Sequence, residues 1–159
     1  IDNFDKTYPE RGISVVTKAW TDPGFKSALI KDAKTAIFDM GIQLESFTDI
    51  ICFGHDEKTH HVVVCTLCSC YPRTLLGMPP SWYKSRSYRS RVVHEPRKVL
   101  AEFGTIIPDS KEVKVHDSNA DMRYLILPER PIGTEGWSED DLSRLISRDH
   151  LVGIRIPSI

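Results

Sequence analysis

VVVCTLCSC, residues 62–70, runs from three consecutive valines into three cysteines. The valines are β-branched and uninterrupted by polar residues, so they read as a strand buried on both faces. Three of the chain's four cysteines then fall within six residues, at C-x-x-C-x-C spacing. A buried strand that ends in clustered thiols implies a fold arranged around those sulfurs.

Thiolates are soft donors, and three from one turn can face a single metal ion. Zinc would need a fourth ligand, usually from a second distant pair. His55, His60 or His61 could supply one ligand, but there is no second pair. A redox pair would use Cys65 and Cys68 and leave Cys70 unexplained. Inert buried thiols are the third reading, because free cysteine is among the most buried residue types. A metal site is favoured over both. The single residue between Cys68 and Cys70 places the amides of Ser69 and Cys70 in the middle of the thiolate claw. A strongly acidic trivalent ion could displace those amide protons, which zinc does not ordinarily do.

The 159 residues suit one domain, 1–159, with a real core. Hydrophobic content of 40% and charged content of 27% are ordinary for a globular protein. A net charge of -1 gives no basic excess for nucleic acid. No apolar stretch reaches the length of a membrane span. Ile1 is not a natural start, which leaves room for a missing N-terminal arm. Cys65, Cys68 and Cys70 are too clustered to staple distant segments, so a reducing, cytoplasmic setting is expected.

Up to Trp20 the chain reads as irregular or weakly helical. Asp22-Pro23 then opens one helix, with Phe25, Leu29, Ala33, Ala36, Ile37 and Met40 on one face and Gly41 as its stop. Strands are expected at 50–53, 61–65, 113–115 and 123–127. A loop follows the cysteines through Pro80, a helix begins near Ser81, and Pro96 restarts one that Gly104 closes. Ser138 caps a last helix, with Asp141 at N3. Alternating Val152, Ile154 and Ile156 predict a final strand. The expected class is α+β, with helices outside sheets around the metal loop.

Two long runs carry a family resemblance. VCTLCSCYPRTLLGMPPSWYKSRSYRSRVVHEPRKVLAEFG, residues 64–104, and MRYLILPERPIGTEGWSEDDLSRLISRDHLVGI, residues 122–154, resemble the metal-bearing subunit of the nitrile hydratase and thiocyanate hydrolase family. KAWTDPGFK, residues 18–26, fits as well. The resemblance implies a layered, nitrile hydratase alpha-like fold and a low-spin Co(III) or Fe(III) centre. Its ligands would be the sulfurs of Cys65, Cys68 and Cys70 and the backbone nitrogens of Ser69 and Cys70. Cys68 would be a sulfinate, Cys70 a sulfenate and Cys65 a thiolate. Thr66 follows the cobalt pattern, where the iron enzymes usually have serine. The resemblance further implies a beta-type partner subunit in a hetero-oligomer, arginines from that partner at the oxidised sulfurs, and a metallochaperone or activator for loading. An isolated chain is expected to expose an apolar patch near Pro79, Pro80 and Trp82.

The implied reaction hydrates a C≡N bond, turning a nitrile into an amide, with the ion polarising the substrate or activating water. The Cys70 sulfenate oxygen is an alternative nucleophile. Two departures from the family pattern point elsewhere. Arg73 stands where most nitrile hydratases have tryptophan, so it is a candidate catalytic residue beside Cys70. The family's Gln-x-Glu pair falls, without gaps, on Ser46 and Thr48, and Gln43 and Glu45 match only with a shift. Arg73 and the run Asp117–Asn119 resemble the metal subunit of thiocyanate hydrolase, which converts that anion to carbonyl sulfide and ammonia. The bland alternative for Arg73 is a surface or partner-contact arginine. A non-catalytic metal-binding or redox-sensing protein is the third function class. Tyr71 and Trp82 read as packing groups, His60 and His61 as strand residues, and Arg89 and Arg91 as structural or partner-contact residues. Glu139–Asp141 read as a helix start.

Overall fold

The computed structural model describes residues 2–159, so the reading of Ile1 lies outside it. Four strands form two parallel pairs. β1 (Asp49–Gly54) pairs with β4 (Met122–Leu127), with Cys52 opposite Leu125. β2 (Thr59–Val64) pairs with β3 (Glu112–Asp117), with Val64 opposite Asp117. Four of the five expected strands are present. Parallel pairing requires long crossovers, and the β2–β3 crossover contains the whole claw and four helices. These are α4 (Arg73–Leu76), α5 (Ser81–Lys84), α6 (Arg86–His94) and α7 (Pro96–Glu102). β2 is buried from His60 through Val64, as its valine run requires.

Before the strands come α1 (Asp2–Thr21), α2 (Pro23–Lys31) and α3 (Ala33–Asp39), and α8 (Glu139–Ser143) follows them. The N-terminal stretch, expected to be irregular or weakly helical, is a continuous helix through Thr21. Val15, Val16 and Ala19 are buried in the core, and that packing overrides the weak helix propensity of β-branched residues. Gly12 lets α1 approach α4: a Cβ there would lie 2.7 Å from Leu76 Cδ2 and 3.0 Å from the Leu75 carbonyl.

The single helix expected over 23–40 is two, broken at Asp32. Its backbone is extended, and its carboxylate accepts from Thr35 N and Thr35 Oγ1. Asp22 caps α2 by accepting from Phe25 N, as the sequence indicates. The helix expected from Ser81 is likewise split, at Ser85, whose hydroxyl caps α6 through Tyr88 N. α4 lies inside the expected loop. Ser138 caps α8 by accepting from Asp141 N.

The final strand is absent among the described residues. His150–Val152 is a 3-10 turn, and Gly153 has φ +84. A Cβ at Gly153 would fall 1.9 Å from the His61 carbonyl, so the two backbones touch. Val152, Gly153 and Ile154 are all buried, because His60 Nε2 meets Gly153 O at 2.7 Å and Thr105 Oγ1 donates to Ile154 O at 2.7 Å. The apolar alternation reflects a segment pinned on both sides, not a ladder.

Candidate metal centre

β2 delivers Cys65 into the core with no exposure. The chain then turns under a brace from β3. Asp117 accepts from Thr66 N at 2.9 Å and from Thr66 Oγ1 at 2.6 Å, and Ser118 N donates to Val64 O at 2.7 Å. The turn brings the sulfurs of Cys65, Cys68 and Cys70 within 4.8 Å of one another. Cys65 Sγ and Cys68 Sγ are 3.3 Å apart, Cys68 Sγ and Cys70 Sγ 2.9 Å.

The backbone of the turn is also directed inward. Cys68 N donates to Cys65 Sγ at 3.3 Å, and the amides of Cys70 and Ser69 act on the Cys68 sulfur. Hydrogen bonds from the Cys70 and Cys65 thiols, then from those amides, hold Cys68 below the ordinary thiol range. Cys70 is pushed up to about 12 by burial and by its bond to Cys68, with Arg123 pulling the other way. Cys68 therefore loses its proton more readily than Cys70.

Residues that the sequence gave no site role complete the frame. Tyr83, fully buried, donates to Cys70 O at 2.7 Å, and Tyr88 donates to Val63 O at 2.7 Å. The two phenols fix the backbone on either side of the claw; a buried tyrosine hydroxyl is costly without an acceptor, and here the acceptors are claw-flanking carbonyls. Arg123 donates to Tyr71 O at 3.3 Å and to Asn119 O. It is thus the cation that acts on Cys70, a position read from sequence only as the start of a strand. Tyr71 and Trp82 do pack: Tyr71 sits edge-on to Tyr83 at 5.0 Å, and Trp82 edge-on to Tyr88 and Phe103 at 4.9 Å.

Arg73 opens α4 with its side chain exposed, and its guanidinium reaches Met78 Sδ at 3.8 Å. Among the described residues no carboxylate pairs with it. Glu45 accepts from Thr74 Oγ1 at 3.4 Å, so the shifted Gln-x-Glu pairing puts its acid beside α4 while Gln43 and Ser46 stay exposed. The apolar patch expected near Trp82 is not there: Pro79 is buried, and Pro80 and Trp82 are half-buried. The aromatic cluster absorbs Trp82, and exposure falls instead on Leu67 at 85% and Met78 at 47%.

His60 and His61 are strand residues, apart from the sulfurs. They join His55 and His116 in a ring stack, His55 on His60 at 3.9 Å and His61 Nδ1 bonded to His116 Nε2 at 2.8 Å. Burial lowers His55 to about 2 and His60 and His116 to about 4. These groups fold neutral, so below their unfolded value the unfolded chain binds more protons. Stability is full above about pH 6.5 and declines as pH falls toward about 4, with His60 alone giving a slope up to about 1.4 kcal/mol per pH unit. Thermal melts between pH 7 and pH 5 should show the midpoint falling; a flat midpoint would contradict it.

Comparison with known proteins adds a second line of evidence. The family profile described as "Nitrile hydratase, alpha chain" matches residues 1–155. The high-molecular weight cobalt-containing nitrile hydratase subunit alpha of Rhodococcus rhodochrous is 52% identical over 147 residues, covering 92% of this chain and 72% of its own. The thiocyanate hydrolase subunit gamma of Thiobacillus thioparus is 42% identical over 154 residues, covering 90% of this chain and 63% of its own. A solved structure, a double histidine mutant of the Fe-type nitrile hydratase from Comamonas testosteroni Ni1, superposes with a TM-score of 0.92 at 37% identity. It covers 99% of this chain and 79% of its own.

Proposed function

The chain belongs to the nitrile hydratase alpha-chain family, and from that premise we propose that it is the metal-bearing subunit of an enzyme that hydrates a C≡N bond. The observation that carries the reading is the sulfur cluster at the end of a buried strand, all three Sγ within 4.8 Å. The donor set fits a trivalent ion. Three soft sulfurs converge, the Ser69 and Cys70 amides turn toward the same place, and no histidine joins the group among the described residues. Cys65, Cys68 and Cys70, with the backbone nitrogens of Ser69 and Cys70, would hold it. Thr66 puts cobalt ahead of iron; the relatives include both a cobalt-containing and an Fe-type enzyme.

When bound, the ion supplies Lewis acidity, to polarise the nitrile or to activate water. The chain supplies the rest. Asp117 fixes the near side of the claw through Thr66, and Tyr83 fixes the far side through Cys70 O. Cys65 is sealed from solvent, whereas Cys68 is exposed and Cys70 half-buried. That order supports oxidation of Cys68 to sulfinate and Cys70 to sulfenate with Cys65 left as thiolate, because oxidation follows access. Arg123 provides a nearby positive charge against the oxidised Cys70. Cys70, as the sulfenate, is the candidate nucleophile.

The leading reaction takes a nitrile and one water to an amide. A specific observation supports a second reading: Arg73 presents a cation without a carboxylate partner, which suits thiocyanate. That anion and two waters would give carbonyl sulfide, ammonia and hydroxide. Either reaction would take place in a hetero-oligomer, since the relatives are named as subunits; a beta-type partner and a loading activator belong to this proposal, as does a cytoplasmic setting. Among the described residues no helix is long and apolar enough to cross a membrane.

The test compares an aliphatic nitrile with thiocyanate on the cobalt-supplied complex. Turnover of either is expected, with about one cobalt per chain and about three oxygens added to the claw peptide. A disulfide within the claw, or stoichiometric zinc on unmodified cysteines in active protein, would refute the site. A loaded complex that hydrates neither substrate would leave the metal-binding or redox-sensing reading.

A further inference from the structure

Arg86 and Arg89 stand apart from the other arginines of the crossover and beyond. Arg97, Arg123, Arg130 and Arg155 donate to backbone carbonyls, and Arg91 and Arg144 pair with carboxylates. No hydrogen bond or ion pair among the described residues engages the guanidinium of Arg86 or Arg89. The Arg89 Nε is in addition shut away from solvent with no acceptor. With Nε sealed, only the terminal nitrogens of Arg89 are left to meet an acceptor from outside the chain, and a guanidinium without an acceptor of its own is suited to an anion.

The two arginines share one face of α6. Residues 86, 89, 90 and 93 recur at helical spacing, while Tyr88 and Val92 bury the opposite face. Arg91 is used differently, tying α6 to Glu95 and to Glu102 of α7. The free face lines a cleft of about 530 Å³ bounded by Arg86, Arg89, Ser90, Val93, His94 and Thr66. No carboxylate lines it. Thr66 is the residue braced by Asp117, so the cleft reaches the claw loop at the residue that follows Cys65.

We propose that this cleft is where a carboxylate-bearing segment of the partner subunit docks, with Arg86 and Arg89 as the anion-binding pair. The inference rests on reading the chain as one subunit of a hetero-oligomer. A guanidinium fork matches a carboxylate with two parallel hydrogen bonds, and two forks one helical turn apart match two acids on one segment. Val93, 45% exposed, and Leu67, 85% exposed on the claw, supply the apolar contact that an interface requires around its charges. A lone small anion would use neither. Docking here would lay the partner along the flank of the claw and cover the Arg89 donor.

The experiment uses the chain co-produced with its native partner subunit. Arg86→Glu/Arg89→Glu should weaken assembly at least about tenfold by analytical ultracentrifugation. Arg86→Gln/Arg89→Gln should weaken it less and lower its sensitivity to salt. Lys31→Glu, on α2, should leave it unchanged. Neither arginine has a partner among the described residues, so the variants should melt like wild type, and a thermal melt checks this. In an Arg89→Lys variant, a zero-length carbodiimide crosslink should join position 89 to an Asp or Glu of the partner. Undiminished assembly by the charge-reversed chain, with no such crosslink, overturns the proposal. So does intact assembly with only a raised KM for thiocyanate, which would make the cleft a small-anion site. If the wild-type chain assembles with no partner, the hetero-oligomer reading and this inference fall together; if wild type and reversed variant assemble alike, this inference falls alone.

Discussion

Cys65→Ala is expected to give a folded chain that retains no stoichiometric cobalt and loses at least about a thousandfold in kcat, roughly 4 kcal/mol of transition-state stabilisation. Cys65 has no exposure and contributes the one fully buried sulfur of the claw. Removing it deletes a single heavy atom, so the cavity cost is small, about 1 kcal/mol. The loss should therefore appear in metal content, in the sulfur-to-metal absorption bands and in turnover, while the melting transition stays cooperative. Cys52→Ala is the matched control. Cys52 is also buried, on β1, and burial pushes its thiol up to about 12, but it stands outside the sulfur group. It should keep its cobalt and its rate. A Cys65→Ala protein that still holds one equivalent of metal and turns over would remove Cys65 from the ligand set.

Arg73→Trp should move preference from thiocyanate toward neutral nitriles. On the proposed reading Arg73, three residues after Cys70, offers a guanidinium to an incoming anion, and that attraction is weakly screened wherever the partner excludes water. Among the described residues nothing anionic restrains Arg73, which meets the Met78 sulfur at 3.8 Å. Loss of one charge-assisted contact should lower kcat/KM for thiocyanate roughly ten- to a hundredfold, while an apolar nitrile gains a flat wall. Both rates must be read on protein with full cobalt and full cysteine oxidation. An equal fall for both substrates would make Arg73 structural. A wild type that ignores thiocyanate and hydrates a neutral nitrile well would give Arg73 a contact with the partner chain or with a polar nitrile.

The parts of the site that were legible in the sequence are those written in one continuous stretch. The valine run specifies β2, and C-x-x-C-x-C at its end specifies three converging sulfurs. Helix caps were legible for the same reason: Asp22 and Ser138 act on amides three residues ahead. What the sequence concealed was nonlocal. Asp117, Tyr83 and Arg123 reach the claw from β3, α5 and β4, and nothing near each of them in sequence marks its target. α1 was hidden because its β-branched residues argue against a helix until the core they fill is known. Val152–Ile156 misled in the opposite sense, since a period of two also describes a chain wedged between His60 and Thr105.

The brace between Thr66 and Asp117 also sets an order of events during translation. The two residues are 51 positions apart. At about 5–20 residues per second, a ribosome needs roughly 3–10 s to deliver the second after the first. For that interval the three thiols exist without the strand that shapes them. An ion captured then is chosen by raw affinity, which favours the wrong divalent metals; one captured after β3 has paired with β2 is chosen by a fixed arrangement of donors. Loading held back until β3 has paired would thus itself be a selectivity filter, and the long parallel crossover sets how long it must be held back.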